Sequence, residues 1–253
     1  MRAYEALARV YDTLNRDVDH AAFATFYEKV FARYGVSPSL VLDLGCGTGK
    51  LTVEMAKRGF DMIGVDASAE MLSQAYERKY DTAGAEGVLF LQQDMRDFEL
   101  YGTVGAVVSS LDCVNYLVGE DDLEKCLALV HNYLDPDGVF VFDVNTPHKF
   151  KHVFADNAYI LEDEDCYCGW QNEYNEASGI CKFYLSVFAE GEDGRYERAD
   201  EEQTERCYTR EDLTAALDAA GFADVSFFGD MDMSEPCERT ERWFVAARCK
   251  KEV

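Results

Sequence analysis

The densest chemical signal in the chain is Val41-Leu-Asp-Leu-Gly-Cys-Gly-Thr-Gly49. A short apolar run, 40–44, leads straight into Gly45, Gly47 and Gly49, and a helical pattern follows. Glycines let the backbone turn tightly and approach a ligand without Cβ interference. The helix start adds unpaired N–H groups. The chemistry to expect is the cradling of a cofactor. A dinucleotide fingerprint requires G-x-G-x-x-G, but here the third glycine comes one place early and position 50 is Lys50. A P-loop requires G-x-x-x-x-G-K-S/T. Gly49-Lys50 imitates its end, yet Leu44 and Leu51 occupy the flanking positions. Neither pattern fits.

Further polar groups recur where strands end. Asp66 closes Ile63-Gly-Val-Asp66, 21 residues after Gly45. A carboxylate there can accept hydrogen bonds from both hydroxyls of a ribose. Gln93-Asp94-Met95 follows a third apolar run, and Ser110-Leu111-Asp112 a fourth. Asp112, Asn115 and Tyr116, then Asp143, Asn145 and His148, are the candidates to face a second substrate. Asp112 and His148 are the available bases, but each is at least as well explained structurally, so no catalytic residue is assigned.

The elements that must position these groups alternate regularly. Strand patterns at 40–44, 61–65, 88–92, 104–109 and 139–144 are separated by helical patterns at 49–59, 68–80 and 121–134. Strands alternating with helices imply βαβ units and a mostly parallel, doubly wound sheet. An amphipathic helix at 20–34 precedes it, ended by Gly35 and Pro38, and Asp135-Pro-Asp-Gly138 reads as a turn. The rhythm breaks after Val144. Residues 150–208 contain no helical pattern, and strands at 159–168, 170–176, 180–190 and 196–208 follow one another, with Gly169, Ser178-Gly179 and 191–194 as connections. Between 180 and 188 apolar residues fall on both faces, so one face is expected to be partly covered. A capping box at Thr209 then opens a helix that Gly221 stops. The runs 222–229 and 242–248 are expected to pair as an antiparallel hairpin.

On the ordered motifs of 1–149 and 209–250 the chain resembles the class I, Rossmann-like S-adenosylmethionine (SAM) dependent methyltransferases of small-molecule type. That resemblance implies a seven-stranded α/β sheet with an antiparallel C-terminal hairpin and an inserted small antiparallel sheet. Residues 1–149 and 209–253 would form the SAM-binding core, with 1–37 as a helical cap, and 150–208 would be a lid or a dimer interface. It also implies SAM as cofactor and S-adenosyl-L-homocysteine as product. Asp43, Gly45, Cys46 and Gly47 would form the cofactor loop, Cys46 as a small filler, with Asp66 and Ala67 at the ribose. Asp94 and Met95 would serve the adenine, Ser110 and Leu111 the methionine end, and Tyr11 would close over the cofactor. Methyl transfer is an in-line displacement on an already activated carbon, so alignment matters more than a strict triad.

Bulk properties narrow the acceptor. The formal net charge is −25, a field that repels nucleic acid, so a small molecule is the expected substrate and an amine is favoured over a neutral acceptor. Between 156 and 205 stand 15 acidic and 3 basic residues. A protein or tRNA target on the same fold, a SAM-binding regulator without catalysis, and a nicotinamide oxidoreductase are the competing readings. The nine cysteines and four histidines form no zinc pattern, so no metal is expected. No run is long enough to span a membrane, and the start lacks the apolar stretch of a secretory signal. A cytoplasmic protein, with homodimerisation as the other use of the insertion, completes the expectation.

Overall fold

A computed structural model describes residues 7–163, 166–191 and 193–251. Its centre is a sheet of strands buried on both faces, which explains their near-continuous apolar runs. In chain order these are β1 (Leu40–Leu44), β2 (Asp61–Asp66), β3 (Leu89–Gln92), β4 (Val104–Ser109) and β5 (Leu134–Asn145), with β10 (Phe222–Phe228) and β11 (Arg242–Cys249) closing one edge. The order is β10-β11-β5-β4-β1-β2-β3. The strands β1 to β5 are mutually parallel, and β11 runs antiparallel to both β5 and β10. The chain winds outward from β1 to β3, then returns to β4. The crevice at the carboxyl ends of β1 and β4 is therefore the switch point where such sheets bind ligands.

Alternation along each strand divides the core. Val41, Met62, Ala106, Val108 and Val141 pack under α2 (His20–Tyr34), α3 (Lys50–Lys57) and α4 (Ala69–Asp81). Leu42, Leu44, Val107, Phe140 and Phe142 pack under α5 (Asp122–Tyr133) and α7 (Arg210–Ala219). The capping box at Thr209 is present, with Asp212 as its reciprocal partner. Ser68 caps α4 by accepting from Met71 N.

The insertion forms its own antiparallel sheet of β6 (Ala158–Asp163), β7 (Cys166–Asn175), β8 (Ile180–Glu190) and β9 (Tyr196–Arg206). Its inner face carries Cys166, Cys168, Cys181, Phe183, Leu185 and Val187. That face covers α1 (Ala8–Leu14) and a turn containing Phe150 and Phe154. The outer face leaves Ile160, Tyr167 and Tyr184 exposed.

Three expectations need correction. Gly169 connects nothing: it lies within β7, between Ile160 and Ser186. A Cβ there would meet nothing within 4 Å, so a mid-strand glycine on this open face sacrifices no packing. The link between β6 and β7 falls on 164–165, outside the described residues. The insertion also begins helically, as α6 (Pro147–Lys149), capped by Thr146, runs into a π-helical turn, Phe150–Phe154. The i→i+5 bonding of a single π-helical turn leaves no 3.6-residue pattern to read. The Asp-Pro-Asp-Gly segment is absorbed into the start of β5, with Asp137 at φ 62° and a register shift against β4. Within the expected helical cap, α1 is a separate helix before α2, too short for periodicity to reveal.

Candidate cofactor site

At the switch point lies a cavity of about 610 Å³, within the roughly 300–1,000 Å³ typical of small-molecule sites. Every residue that the sequence nominated for the cofactor lines it: Tyr11, Asp43, Gly45, Cys46, Gly47, Asp66, Ala67, Asp94, Met95, Ser110 and Leu111. They come from α1 and from the ends of β1, β2, β3 and β4, brought together only by the parallel winding.

The glycine loop forms the floor. Gly45, Gly47 and Gly49 have φ of 80°, 54° and 73°, the left-handed region that favours glycine. A Cβ on Gly45 would meet Cys113 Sγ at 2.6 Å, whereas one on Gly47 would project into open space. The loop is thus clasped from behind and open in front. Asp66 steadies it by accepting from Gly47 N and Ser68 N, each at 2.8 Å. Burial raises the Asp66 carboxyl above its ordinary value, against those backbone bonds. Asp43, buried at the base, accepts from Thr52 Oγ1 at 2.6 Å, and burial pushes its carboxyl up to about 7. Burial likewise pushes the Cys46 thiol well up, which suits a filler and not a nucleophile.

The lining includes Arg96 and Lys50, both already engaged. Arg96 holds Asp94 in a fork and also reaches Asp122 at 3.1 Å. The Arg96 bond keeps the Asp94 carboxyl below its usual value. Lys50 Nζ sits 3.3 Å from Asp12. With its guanidinium and ammonium groups paired off, the lining suits an adenosyl compound with a ribose diol better than a pyrophosphate.

Two supports were invisible in the sequence. Asp12 on α1 accepts from Thr48 Oγ1 at 2.8 Å and from Arg78, fastening α1 across the loop. Tyr27 on α2 shares a buried hydrogen bond with Ser110 Oγ. Both couplings join residues far apart in the chain, and a lone Asp or Tyr on a helix gives no local sign of its partner.

The candidates for the second substrate divide. Tyr116 lines the cavity and donates to Gln203 Oε1 of β9 at 2.7 Å. Asn115 is structural: its side chain donates to the Arg206 carbonyl and accepts from Asn145 N. Asp143 is fully buried and turned to the backbone of Leu111 and Asp112. Asp112 is held by Arg242 at 2.6 Å. Burial opposes its ionisation, but the Arg242 and Lys149 charges outweigh it and keep its carboxyl below the ordinary range. His148 packs tilted against His152, 4.8 Å between ring centroids, and is not part of the cavity lining. Neither proposed base is poised to act as one.

Residues 41–138 match the methyltransferase-domain family. A protein of Geobacillus sp. (strain WCH70) that carries the name methyltransferase is 32% identical over 246 residues, 97% of this chain and 99% of the relative. The chain belongs to the class I SAM-dependent methyltransferases. A SAM-dependent methyltransferase from Clostridium acetobutylicum has a similar structure, with a TM-score of 0.86 at 28% identity, covering 99% of this chain and 100% of that one. The dTDP-3-amino-3,4,6-trideoxy-alpha-D-glucopyranose N,N-dimethyltransferase of Streptomyces venezuelae is 34% identical over 151 residues, 59% of this chain and 60% of that protein. SAM is therefore the methyl donor of this methyltransferase and S-adenosyl-L-homocysteine its product. Among the described residues no helix is long and apolar enough to cross a membrane.

Proposed function

We propose that this methyltransferase N-methylates a small cationic amine, held between the cofactor cavity and the inner face of the inserted sheet. The observation that carries the reading is the wall presented by β9. Glu201, Gln203 and Glu205 alternate inward along it and are all buried. Glu205 accepts from Asn145 at 2.9 Å, and Gln203 joins Tyr116 at the cavity edge. Burial and the nearby Asp112 charge push the Glu205 carboxyl well up. An ammonium group entering there would relieve that cost, and the proton it must lose before its nitrogen can take the methyl would pass to Glu205. The net charge of −25 and the likeness to an amino-sugar N,N-dimethyltransferase point the same way.

SAM supplies a methyl group already activated by its sulfonium. In this reading Asp66 and Ala67 hold the ribose, Asp94 and Met95 the adenine, and the glycine loop with Asp43 and Cys46 carries the methionine end. Ser110 and Leu111 face the sulfonium side, and Tyr11 closes over the ligand. The chain's task is to align the acceptor nitrogen and exclude water. Residues 1–149 and 209–253 act as the SAM-binding core, and 150–208 as the roof. The charge argues against nucleic acid as a target. Cysteines free of disulfides, such as Cys46, Cys126, Cys181 and Cys249, support a reducing, cytoplasmic location. A homodimer through exposed Ile160, Tyr167 and Tyr184 is the second use of the sheet, readable by light scattering.

The deciding experiment incubates purified protein and SAM with matched panels of small amines, amino sugars and their hydroxyl counterparts, and follows S-adenosylhomocysteine release. Turnover restricted to amines, with Glu205→Gln raising the amine KM about tenfold, is expected. Turnover of hydroxyl acceptors alone would overturn the reading.

A further inference from the structure

Leu111 and Asp112 are consecutive non-glycine residues in the left-handed region, at φ 59° and 58°. Side chains there carry a backbone cost that the surroundings must hold in place. What holds them is the Asp143 carboxylate at the end of β5. Its two oxygens accept Leu111 N at 2.7 Å and Asp112 N at 3.0 Å. Asp143 is itself wholly buried and is neutralised by one arm of Arg242, the first residue of β11. The other arm of Arg242 reaches the Asp112 side chain. One guanidinium thus grips the turn from both sides, through its side chain and through the carboxylate that binds its backbone.

The gripped turn is part of the cofactor wall. Ser110, Leu111 and Cys113 line the cavity. Cys113 Sγ donates to Ser110 O and leans on Gly45, leaving no room there for a side chain. A shift of this turn is therefore transmitted to the glycine loop.

We propose that Arg242 and Asp143 are positioning residues for SAM: they touch no substrate, and act by holding the left-handed turn that shapes the sulfonium side of the cavity. This rests on the reading that the 110–113 turn touches the cofactor. Charge, fork geometry and burial are all needed, since a lone buried carboxylate opposite Asp112 would be repelled by it.

The test measures SAM affinity by calorimetry, alongside melting temperature, for wild type, Arg242→Met, Asp143→Asn, and Arg242→Met combined with Asp112→Gly. Arg242→Met is expected to weaken SAM about tenfold, the scale of one strained residue set free. Adding Asp112→Gly, which removes both the repelled carboxylate and the left-handed cost, is expected to bring affinity back to within roughly threefold of wild type. A folded Arg242→Met protein that melts lower yet binds SAM as wild type does would overturn the proposal, as would a double variant that recovers nothing. Leu111→Trp separates the premise: if it leaves SAM affinity intact, the turn does not touch the cofactor, and the failure lies there and not with the pair.

Discussion

Asp43 shows how a single residue in this site can tune the whole protein. It sits at the base of the glycine loop with Thr52 as its hydrogen-bond partner, and burial raises its carboxyl from an ordinary 3.8 to about 7. Between those values the folded chain keeps a proton that the unfolded chain has released. Stability contributed by that proton is present at low pH and is lost as pH rises from about 4 to 7. Asp43→Asn cannot titrate, so the Asn variant should lose less stability than wild type between pH 5 and pH 8. Urea unfolding of both proteins at the two pH values checks this, and equal losses would remove Asp43 as the source. The same residue scale explains why Gly45 tolerates no side chain: its space is filled by Cys113.

Among the elements, α1 has the most unusual position. One side meets the insertion through Leu7 and Val10, and Leu7 N donates to Glu201. The other side meets the cofactor loop through Asp12, which gathers Thr48, Lys50 and Arg78. Tyr11, between these contacts, lines the cavity. Single exposed ion pairs contribute little, but several partners on one partly buried carboxylate act as a network. Asp12→Ala should therefore speed SAM dissociation about tenfold while lowering the melting temperature only slightly. Stopped-flow displacement of bound SAM reads the rate, and an unchanged rate would mean that α1 is no latch.

At the scale of the whole molecule, the two sheets meet through α1, the turn around Phe150 and Phe154, and direct hydrogen bonds such as Asn145 to Glu205, not through a bare pair of linkers. An insertion hung on two linkers could be removed with SAM binding intact. Here, deleting 156–205 would strip the apolar cover from Leu7 and Val10, so cofactor affinity should fall as well as turnover. The same continuity predicts that SAM slows amide exchange in α1 and in β6 and β7, and leaves α7 and β10 unchanged. Hydrogen-exchange mass spectrometry would show it. Protection confined to the glycine loop would mean that the roof is not coupled to the cofactor.

What could be read from residues alone was local or periodic. Strand and helix alternation, three glycines after β1, and a carboxylate at the tip of β2 each depend on a few neighbouring residues. They were enough for the fold class. The eleven residues carried over from the family resemblance line one cavity, ten of them because in a parallel sheet the strand ends must converge, and Tyr11 because α1 folds across them. The antiparallel hairpin of β10 and β11 and the separate four-stranded sheet were legible for the same reason. Tertiary structure alone decided where Arg242 goes, since its partners lie 99 and 130 residues away and only the pairing of β11 with β5 brings them together. It also decided that Asp112 and Asp143 are structural carboxylates and that α1 bridges the two sheets. Such roles depend on burial and on which charges meet, and neither is a property of a residue's neighbours along the chain.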